Sequence, residues 1–380
     1  MKVRLLEDYE KKNIIPLYRE VFDDSDDYVR YFYKKVLPES GVFTCTVNGR
    51  IVGMLCLIPK RICVGTKIIS CYYIYGVATR PDWRRKGVMS HIMKEAVNHL
   101  RLHGTSDYFT YLIPNPAGNA AIYEKYGFGG VMDKICVTDK TGGVFCEKHI
   151  VKRRAGRSDI ACLAEFAAAH VSKSYDVYIT RDNSYFENMF SLMEAEGGSI
   201  DIYFEEKKSG GKKKDRMNDT TDSGTHVRTE RMIAGYRIGF DDETVEEIYD
   251  EYAFGARNQT DRTDISEIAA CGADTNDIIR PYIMARILNI SKMIPLMRTV
   301  DEGEIILHVT DPVIAENNGM FLWRYGDTCS LEKIYEENMD FSNVITVGIG
   351  ELASHIFGCR RTAGLPKMRV KKGVFINDYV

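Results

Sequence analysis

The sequence lacks the features of several large classes of protein. Lys and Arg number 51 against 54 Asp and Glu, which leaves a net charge of −3, and neither half of the chain is strongly basic. We therefore expect no nucleic-acid partner, because the phosphate backbone demands a basic face. The longest apolar run, around Ile51 to Ile58, is far shorter than the roughly 20 residues of a membrane span, so we expect no membrane partner.

Metal-site and disulfide patterns are also missing. The ten cysteines lie at irregular positions, mostly inside apolar runs, without a C-x-x-C pair, and the eight histidines show no ligand spacing. Such cysteines are typical of buried thiols in a reducing compartment. The N-terminal stretch turns charged at once and offers no signal-peptide core. We expect a cytoplasmic protein without a bound metal.

What is present is an ordinary globular composition. Hydrophobic residues make up 44% and charged residues 28% of the 380 residues, a length that indicates two or three domains. From Val42, two β-rich runs joined at Asn48-Gly49 predict a hairpin, and further runs follow at Arg61 to Val64 and Ile69 to Ala78. Helices are predicted before these strands, at Tyr9 to Val21 and Asp26 to Val36.

The rest of the chain alternates helices and strands. Val88 to Leu100 has one apolar stripe at helical spacing. A polar stretch at 207–230 predicts an exposed loop, although its Lys212 to Lys214 cluster could bind an acidic partner. Further elements are predicted as strand Tyr108 to Ile113, helices Ala120 to Tyr126 and Ser158 to His170, strands Ser199 to Glu205 and Met232 to Gly239, helix Met284 to Ile294, strands Glu304 to Thr310 and Met320 to Tyr325, and helix Ile349 to Phe357.

The stretch RRKGVM, residues 84 to 89, stands between a strand and a helix. The first turn of a helix presents free backbone N–H groups and positive potential, Gly87 permits close approach of an anion, and the three cations add charge. This pattern suits a pyrophosphate. A second stretch, Arg153 to Ser158, also precedes a helix, but Ser158-Asp159 is typical of an ordinary helix cap, so we discount it.

The surroundings of the first stretch carry a family resemblance. Tyr75-Gly76-Val77-Ala78-Thr79-Arg80-Pro81 is a strand end interrupted by glycine, and Asn119 to Phe128 places Tyr123 on a short helix after the next strand. The pattern V-A-x-x-P-x-x-R-R-x-G followed by N-x-x-x-x-Y-x-x-x-G-F resembles the GNAT superfamily of acyl-CoA-dependent N-acetyltransferases. The longer architecture is similar to the Eis (enhanced intracellular survival) family.

The resemblance implies an α/β fold in three parts: a GNAT domain at 1–140, a degenerate GNAT-like domain at 141–285 and a smaller α+β sterol-carrier-like domain at 286–380 that ends in a C-terminal tail. It implies acetyl-CoA as cosubstrate, no metal, and a homo-oligomer, a hexamer in the family. The residues implied to hold acetyl-CoA are Val77, Ala78, Thr79, Arg85, Lys86, Gly87, Val88, Met89, Ser90, Gly118 and Asn119.

The resemblance also assigns the chemistry. Tyr123 falls where the family keeps its general acid, and the terminal carboxylate of Val380 where it keeps its base. A core aromatic remains the alternative for Tyr123, and a docked tail without catalytic duty for Val374 to Val380. The expected acceptor is a primary amine of the aminoglycoside or lysine type. The acidic run Asp23 to Asp27 would favour a polycationic amine, or it is a solvated helix start.

Two other functions stay open. In one, the chain is a lipid or ligand carrier and its GNAT fold is a relic, although a relic need not keep the intact R-R-K-G turn. In the other, it is an acyltransferase that acts on lysines of proteins or peptides.

Overall fold

A computed structural model describes most of the chain. The described residues are 1–103, 107–114, 119–134, 150–207, 230–239, 245–250, 280–335, 344–371 and 374–376. They group into two compact units, the first formed by Met1–Cys136, Val171–Thr180 and Arg257–Val380, the second by Val137–His170 and Arg181–Ala256. The three-domain division at 140 and 285 stays a prediction. Most of the 207–230 loop, with its lysine cluster, lies outside the described residues.

The first unit is built on one mixed sheet of nine strands flanked by helices. The strands are β1 (Lys2–Leu5), β2 (Gly41–Val47), β3 (Arg50–Val64), β4 (Lys67–Thr79), β5 (Phe109–Leu112), β6 (Gly129–Lys134), β8 (Val177–Ile179), β12 (Arg280–Ile287) and β17 (Val374–Phe375). Their order is β1-β2-β3-β4-β5-β12-β6, with β8 on the far part of β3 and β17 on β8. The predicted hairpin at Asn48-Gly49 is confirmed, since both residues have positive φ. The run at Arg61 to Val64 is the end of β3 rather than a separate strand.

Helices cover this sheet on both faces. They are α1 (Ile15–Val21), α2 (Asp26–Tyr31), which continues as a π-helical turn (Phe32–Val36), α3 (Val88–His103), α4 (Ala120–Glu124), α7 (Ile290–Met293) and α8 (Ile349–Ile356). The predicted helices at 9–21 and 26–36 are confirmed, the first of them beginning as a 3₁₀ turn (Asp8–Ile14). The stripe predicted in α3 is buried from Val88 to Leu100 and packs on the sheet.

A smaller sheet in the same unit is formed late in the chain. Its strands are β13 (Gly303–Thr310), β14 (Gly319–Tyr325), β15 (Ser330–Ile334) and β16 (Val344–Gly348), in the order β15-β14-β13-β16. Helix α8 follows β16 and packs against β6 and β12. The contact is close because Gly129 and Gly350 have no side chains: a Cβ on Gly129 would collide with the Gly350 carbonyl oxygen. Bulkier residues here would separate the helix from the sheet.

The second unit contains a four-stranded sheet with two helices. The elements are β7 (Ile150–Arg154), α5 (Ile160–Ser174), α6 (Asn183–Glu196), β9 (Ser199–Lys207), β10 (Glu230–Gly239) and β11 (Val245–Asp250), in the sheet order β11-β10-β9-β7. The last turn of α5, from Val171, belongs to the first unit. Its core includes Phe186 packed edge-on against Tyr236, with ring centroids 5.6 Å apart. The predicted α/β class, sheets flanked by helices, is confirmed in both units. This second sheet is consistent with a GNAT-like domain.

One element was predicted with the wrong type of secondary structure. The segment predicted as a helix at Met284 to Ile294 is a strand, β12, followed by the single helical turn α7. β12 lies between β5 and β6, pairing Met284 with Leu112 on one side and Ala285 with Gly129 on the other. A strand buried on both faces is a continuous apolar run, which periodicity cannot distinguish from a buried helix.

No helix among the described residues is both long and apolar enough to cross a membrane. The cysteines in those same ranges are all free thiols, most of them buried.

Candidate active site

The centre of the first sheet contains an open strand edge. β4 pairs with β5 only through Tyr72 to Ile74, while β4 itself continues to Thr79. The opposite edge of β4 stays paired with β3 as far as Thr79. Within the described strands, the backbone of 75–79 therefore has one edge without a strand partner, called the open edge below. Such an edge can pair with the amides of an extended ligand.

A bulge changes the direction of the side chains at the start of this edge. Gly76 has φ +59°, and the β3–β4 register shifts between Met54 and Cys56. Before the bulge, Tyr75 points to aromatic residues of α1 and of the segment after α2. After it, Val77 packs on the opposite face with the core beside α3. The glycine is required because a side chain disfavours this left-handed backbone.

The turn Arg84–Gly87, called the cationic turn below, lies directly beyond the open edge. All four residues are exposed, and Arg85 and Gly87 have φ of +61° and +81°. Lys86 Nζ lies 4.9 Å from the centre of the Trp83 ring. Among the described residues, no carboxylate pairs with Arg84, Arg85 or Lys86. Their charges are therefore available to an external anion.

Helix α3 starts at Val88, and its sixteen residues give the turn a helix N-terminus. A close contact with the sheet fixes this start: a Cβ on Gly53 would collide with Val88 Cγ1. Sequence reasoning missed Gly53, because an isolated glycine in a strand gives no sign of what approaches it. Helix N-terminal N–H groups together with cations are suited to phosphate.

Nine of the predicted cosubstrate residues, Val77 to Thr79 and Arg85 to Ser90, lie along one segment of the chain. Val77 to Thr79 end β4, Arg85 to Gly87 form the turn, and Val88 to Ser90 begin α3. The side chains of Ala78 and Val88 are buried, so only their backbone groups could contact a ligand. Asn119 is exposed at the start of α4. Gly118 lies outside the described residues.

Tyr123 is brought to the α3 side of the sheet. It is half-buried on α4 and packs against the cluster to which Val77 and Met89 also belong. Its ring lies edge-on to Phe128, 6.3 Å between centroids. Burial raises the pKa of Tyr123, and the neighbouring Tyr126 raises that pKa further. The phenol is therefore protonated at neutral pH and able to donate.

The C-terminal tail is docked as far as it is described. Val374 and Phe375 form β17, parallel to β8, and both are buried with Ile376. The Phe375 ring stacks on Tyr175 at 4.8 Å. Val380 lies outside the described residues, as does Asp378.

A buried ion pair that was not predicted from the sequence contacts the turn that follows α4. Arg286 on β12 donates two hydrogen bonds to Asp311, at 2.6 and 2.8 Å, and one to the Tyr126 carbonyl. Both side chains are fully buried, and Asp311 also accepts from Asn317 and from two backbone amides. Burial lowers the pKa of Arg286, which Asp311 opposes. Removing one partner of such a pair leaves an uncompensated buried charge.

The acidic run before α2 separates into two kinds of residue. Asp26 pairs with Arg19 at 2.8 Å and Asp27 with Arg30 at 2.6 Å, both exposed pairs at the helix start. Ser25 caps α2 by accepting from the Tyr28 amide at 3.0 Å. Asp24 instead accepts a hydrogen bond from buried Tyr18 at 2.5 Å. Asp26 and Asp27 thus match the solvated helix start, and Asp24 does not.

The second arginine-rich stretch is closed by its own carboxylate. Arg153 donates to both Asp159 oxygens, at 2.8 and 2.6 Å, and the Gly156 amide donates to Asp159 at 2.8 Å. In the segment Arg153–Asp159, called the closed turn below, these donors are therefore already bound by Asp159. Asp159 does take part in a cap, but the capped element begins after Gly156 with a 3₁₀ turn (Arg157–Asp159).

Comparison with known proteins identifies the first domain. Residues 2–131 match the family model described as an acetyltransferase (GNAT) domain. This part of the chain is a GNAT acetyltransferase domain. The match includes the open edge, the cationic turn and Tyr123, and it confirms the predicted superfamily and an enzyme of the transferase class. No curated protein matches the chain.

Solved structures resemble the chain over its full length. A GCN5-related N-acetyltransferase from Anabaena variabilis is 13% identical with a TM-score of 0.66, and each chain is covered to 100%. One from Kribbella flavida is 17% identical with a TM-score of 0.61, covering 100% of this chain and 98% of that one. Eis1 from Mycobacterium abscessus is 12% identical with a TM-score of 0.61, at 100% of both chains. At these identities the likeness concerns the fold alone.

Proposed function

We propose that the chain transfers an acetyl group from acetyl-CoA to a primary amine. The observation that carries this proposal is the open edge of β4 leading directly into the cationic turn at the start of α3. Val77, Ala78 and Thr79 would pair with the pantetheine amides. Arg85, Lys86, Gly87, Val88, Met89 and Ser90 would hold the pyrophosphate, and Gly118 and Asn119 would lie beside the thiol.

The chemistry requires a general acid. The neutral amine attacks the thioester carbonyl carbon, the carbon–sulfur bond breaks, and the departing thiolate takes a proton. Tyr123 would supply that proton. Its raised pKa and its position in the cluster with Val77 and Met89 support this role, because the phenol carries its proton at neutral pH.

The terminal carboxylate of Val380 would accept a proton from the attacking amine. The docked strand β17 and the buried Ile376 support this role, since they hold the tail against β8. A frayed tail could not deliver a carboxylate to a fixed position.

The full-length likeness to the fold of Eis1 supports an Eis-like architecture. The family resemblance of the sequence would then give acceptors of the aminoglycoside or lysine type. On that basis, the sheet β15-β14-β13-β16 with α8 would be the sterol-carrier-like domain, and the assembly would be a cytoplasmic homo-hexamer. Two alternatives compete with this proposal: a lipid carrier, and an acyltransferase that acts on protein lysines. The experiment below distinguishes them.

The test is acetyl-CoA turnover against aminoglycosides, polyamines and lysine peptides. Loss of a general acid slows transfer by about 10²–10⁴-fold, so Tyr123→Phe should lower kcat by at least 100-fold. Tyr126→Phe is the matched control: it removes a phenol three residues away and should keep near-normal turnover. A chain lacking Tyr379 and Val380 should lose turnover while its melting temperature is unchanged.

The outcomes separate the parts of the proposal. Absence of turnover by the native chain with every acceptor would overturn the enzymatic function, and lipid binding by that chain would then favour the carrier. Native turnover together with an active Tyr123→Phe variant would reject only the acid. Turnover that survives truncation would reject the terminal base.

A further inference from the structure

Three tyrosines and one aspartate form a hydrogen-bonded chain beside the open edge. Tyr28 Oη lies 2.8 Å from Tyr75 Oη, Tyr75 Oη lies 2.7 Å from Tyr18 Oη, and Tyr18 donates to Asp24 Oδ2 at 2.5 Å. Tyr18 and Tyr28 are buried, Tyr75 is half-buried, and Asp24 is exposed. This set, called the phenol chain below, connects the interior of the site to solvent.

The direction of the hydrogen bonds follows from the number of protons. Each phenol has one O–H, and Tyr18 uses its own to donate to Asp24. Tyr75 must therefore donate to Tyr18, and Tyr28 must donate to Tyr75. The phenol chain ends at a carboxylate, and Tyr75 keeps one oxygen lone pair beyond these two bonds. A ligand that approaches Tyr75 thus meets an acceptor and must itself bring a proton.

Tyr75 lies where an incoming amine could reach its free lone pair. Tyr75 follows Ile74, the last β4 residue paired with β5, and comes directly before the Gly76 bulge. It is therefore the first residue of the open edge, on the face covered by α1 and α2, whereas Tyr123 packs on the face covered by α3. An amine that reaches the open edge from the α1 and α2 side would meet Tyr75 first.

Proton accounting shows what such a chain can supply. At neutral pH an aliphatic amine is an ammonium with three N–H bonds, and the product amide keeps one. If the function proposed above holds, one of the two remaining protons ends on the CoA thiol and the other is released to solvent. The second proton needs a path out of a site that the acyl donor closes on one side.

We propose that the phenol chain carries this second proton from the bound ammonium to solvent. An ammonium N–H bond breaks and its proton bonds to Tyr75 Oη, while the Tyr75 proton passes to Tyr18 Oη and the Tyr18 proton to Asp24 Oδ2. The nitrogen keeps the electron pair and becomes the nucleophile. Asp24 then loses the proton to water, and rotation of the hydroxyls restores the first state. Tyr28 positions Tyr75 by donating to it.

The phenols are suited to passing a proton on without losing one. Burial raises the pKa of Tyr75 to about 12, and burial raises the pKa values of Tyr18 and Tyr28 as well. None is a phenolate at neutral pH, so each can receive a proton only as it gives one away. The rings are held firmly: Tyr18 stacks on Phe32 at 4.9 Å, and Tyr75 lies 5.7 Å from both Phe32 and Tyr73.

The experiment compares two acceptors at pH 7, an alkylamine that is an ammonium and a hydrazide of the same skeleton that is already neutral. Tyr75→Phe interrupts the phenol chain without changing charge, and Asp24→Asn keeps the hydrogen bond from Tyr18 but removes the receiving base. Both variants should lower kcat/KM at least tenfold for the alkylamine and less than twofold for the hydrazide. The matched controls Tyr33→Phe and Glu39→Gln, which remove an exposed phenol and an exposed carboxylate outside the acidic run, should leave both values unchanged.

Each alternative result has one meaning. An equal loss with both acceptors would overturn the phenol chain as a proton path and make Tyr75 a structural residue. A loss limited to Asp24→Asn would overturn it too, because Asp24 would then act by charge alone. Native turnover with either acceptor keeps the proposed acetyltransferase in place whichever result is found, so the two proposals fail separately.

Discussion

The cationic turn and the closed turn have similar sequences. Each begins with two consecutive arginines, has a glycine two residues later and precedes a helix. In the closed turn three donors are bound internally: Asp159 accepts from Arg153 and from the Gly156 amide, and Glu194 binds Arg157 at 2.9 Å. The cationic turn has no such acid among the described residues. Carboxylates that occupy the donors of such a turn leave none of those donors for an external anion.

The largest effect is expected when the cationic turn is given a carboxylate of its own. Gly87→Asp should raise the Kd of acetyl-CoA by roughly 100-fold, because φ of +81° strains a side-chain residue and the new charge repels phosphate. Isothermal titration calorimetry measures this loss. Gly87→Asn has nearly the same shape and backbone strain without the charge and should lose only about tenfold. Equal losses in the two variants would show that charge plays no part.

The second-largest effect, on stability, is expected when the carboxylate of the closed turn is removed. Asp159→Ala should lower the free energy of unfolding by about 1–2 kcal/mol, because it removes a cap and leaves Arg153 unpaired. Denaturant unfolding measures the change, with exposed Glu165→Ala as the control. Acetyl-CoA affinity should stay constant. A variant as stable as the native chain would mean that this ion pair contributes nothing.

The same carboxylate predicts a pH dependence. The Arg153 hydrogen bonds lower the pKa of Asp159 in the folded chain. A lowered folded pKa stabilises the fold at pH values above the unfolded pKa of about 3.9, and that stability is lost as the pH falls through the folded value. The stability difference between the native chain and Asp159→Ala should therefore shrink below about pH 4. A difference that grows on acidification would contradict this assignment.

The smallest effect is expected from single cations. Lys86→Ala should raise the Kd of acetyl-CoA about fivefold, with a loss that decreases at high salt, since exposed charges are screened. Arg157→Ala in the closed turn should leave the Kd unchanged. Affinity loss in both variants at every salt concentration would point to a general effect of net charge rather than a local one.

Much of the first domain could be predicted from local patterns. The Asn48-Gly49 hairpin, the apolar stripe of α3 and the R-R-K-G turn each depend on residues close together in the chain. The elements that were not predicted include α6, β8, β15, β16 and β17. Most of these are short strands that are stable only through their partners, which leaves little local signal.

For the candidate site, too, local features could be predicted from the sequence and long-range contacts could not. Residues Val77 to Ser90 form a single segment, so the sequence motif alone predicts the strand end, the turn and the helix start. The phenol chain joins residues 18, 24, 28 and 75, and Asp24 could not be distinguished from Asp26 and Asp27 by composition. Asp27 pairs with Arg30 one turn away on its own helix, a local contact, whereas the bond from Tyr18 to Asp24 joins α1 to the segment before α2.

The amino-acid sequence by itself determined the GNAT character of the first domain, because a strand end, a cationic glycine turn and an amphipathic helix are local features. Only the tertiary structure decided that β12 completes the centre of that domain's sheet, between β5 and β6, and that Arg286 and Asp311 support α4. The physical reason is that these contacts join separate elements of the chain: Arg286 lies 160 positions from Tyr126 and 25 positions from Asp311. Their energy comes from burial and pairing that exist only once the chain has folded.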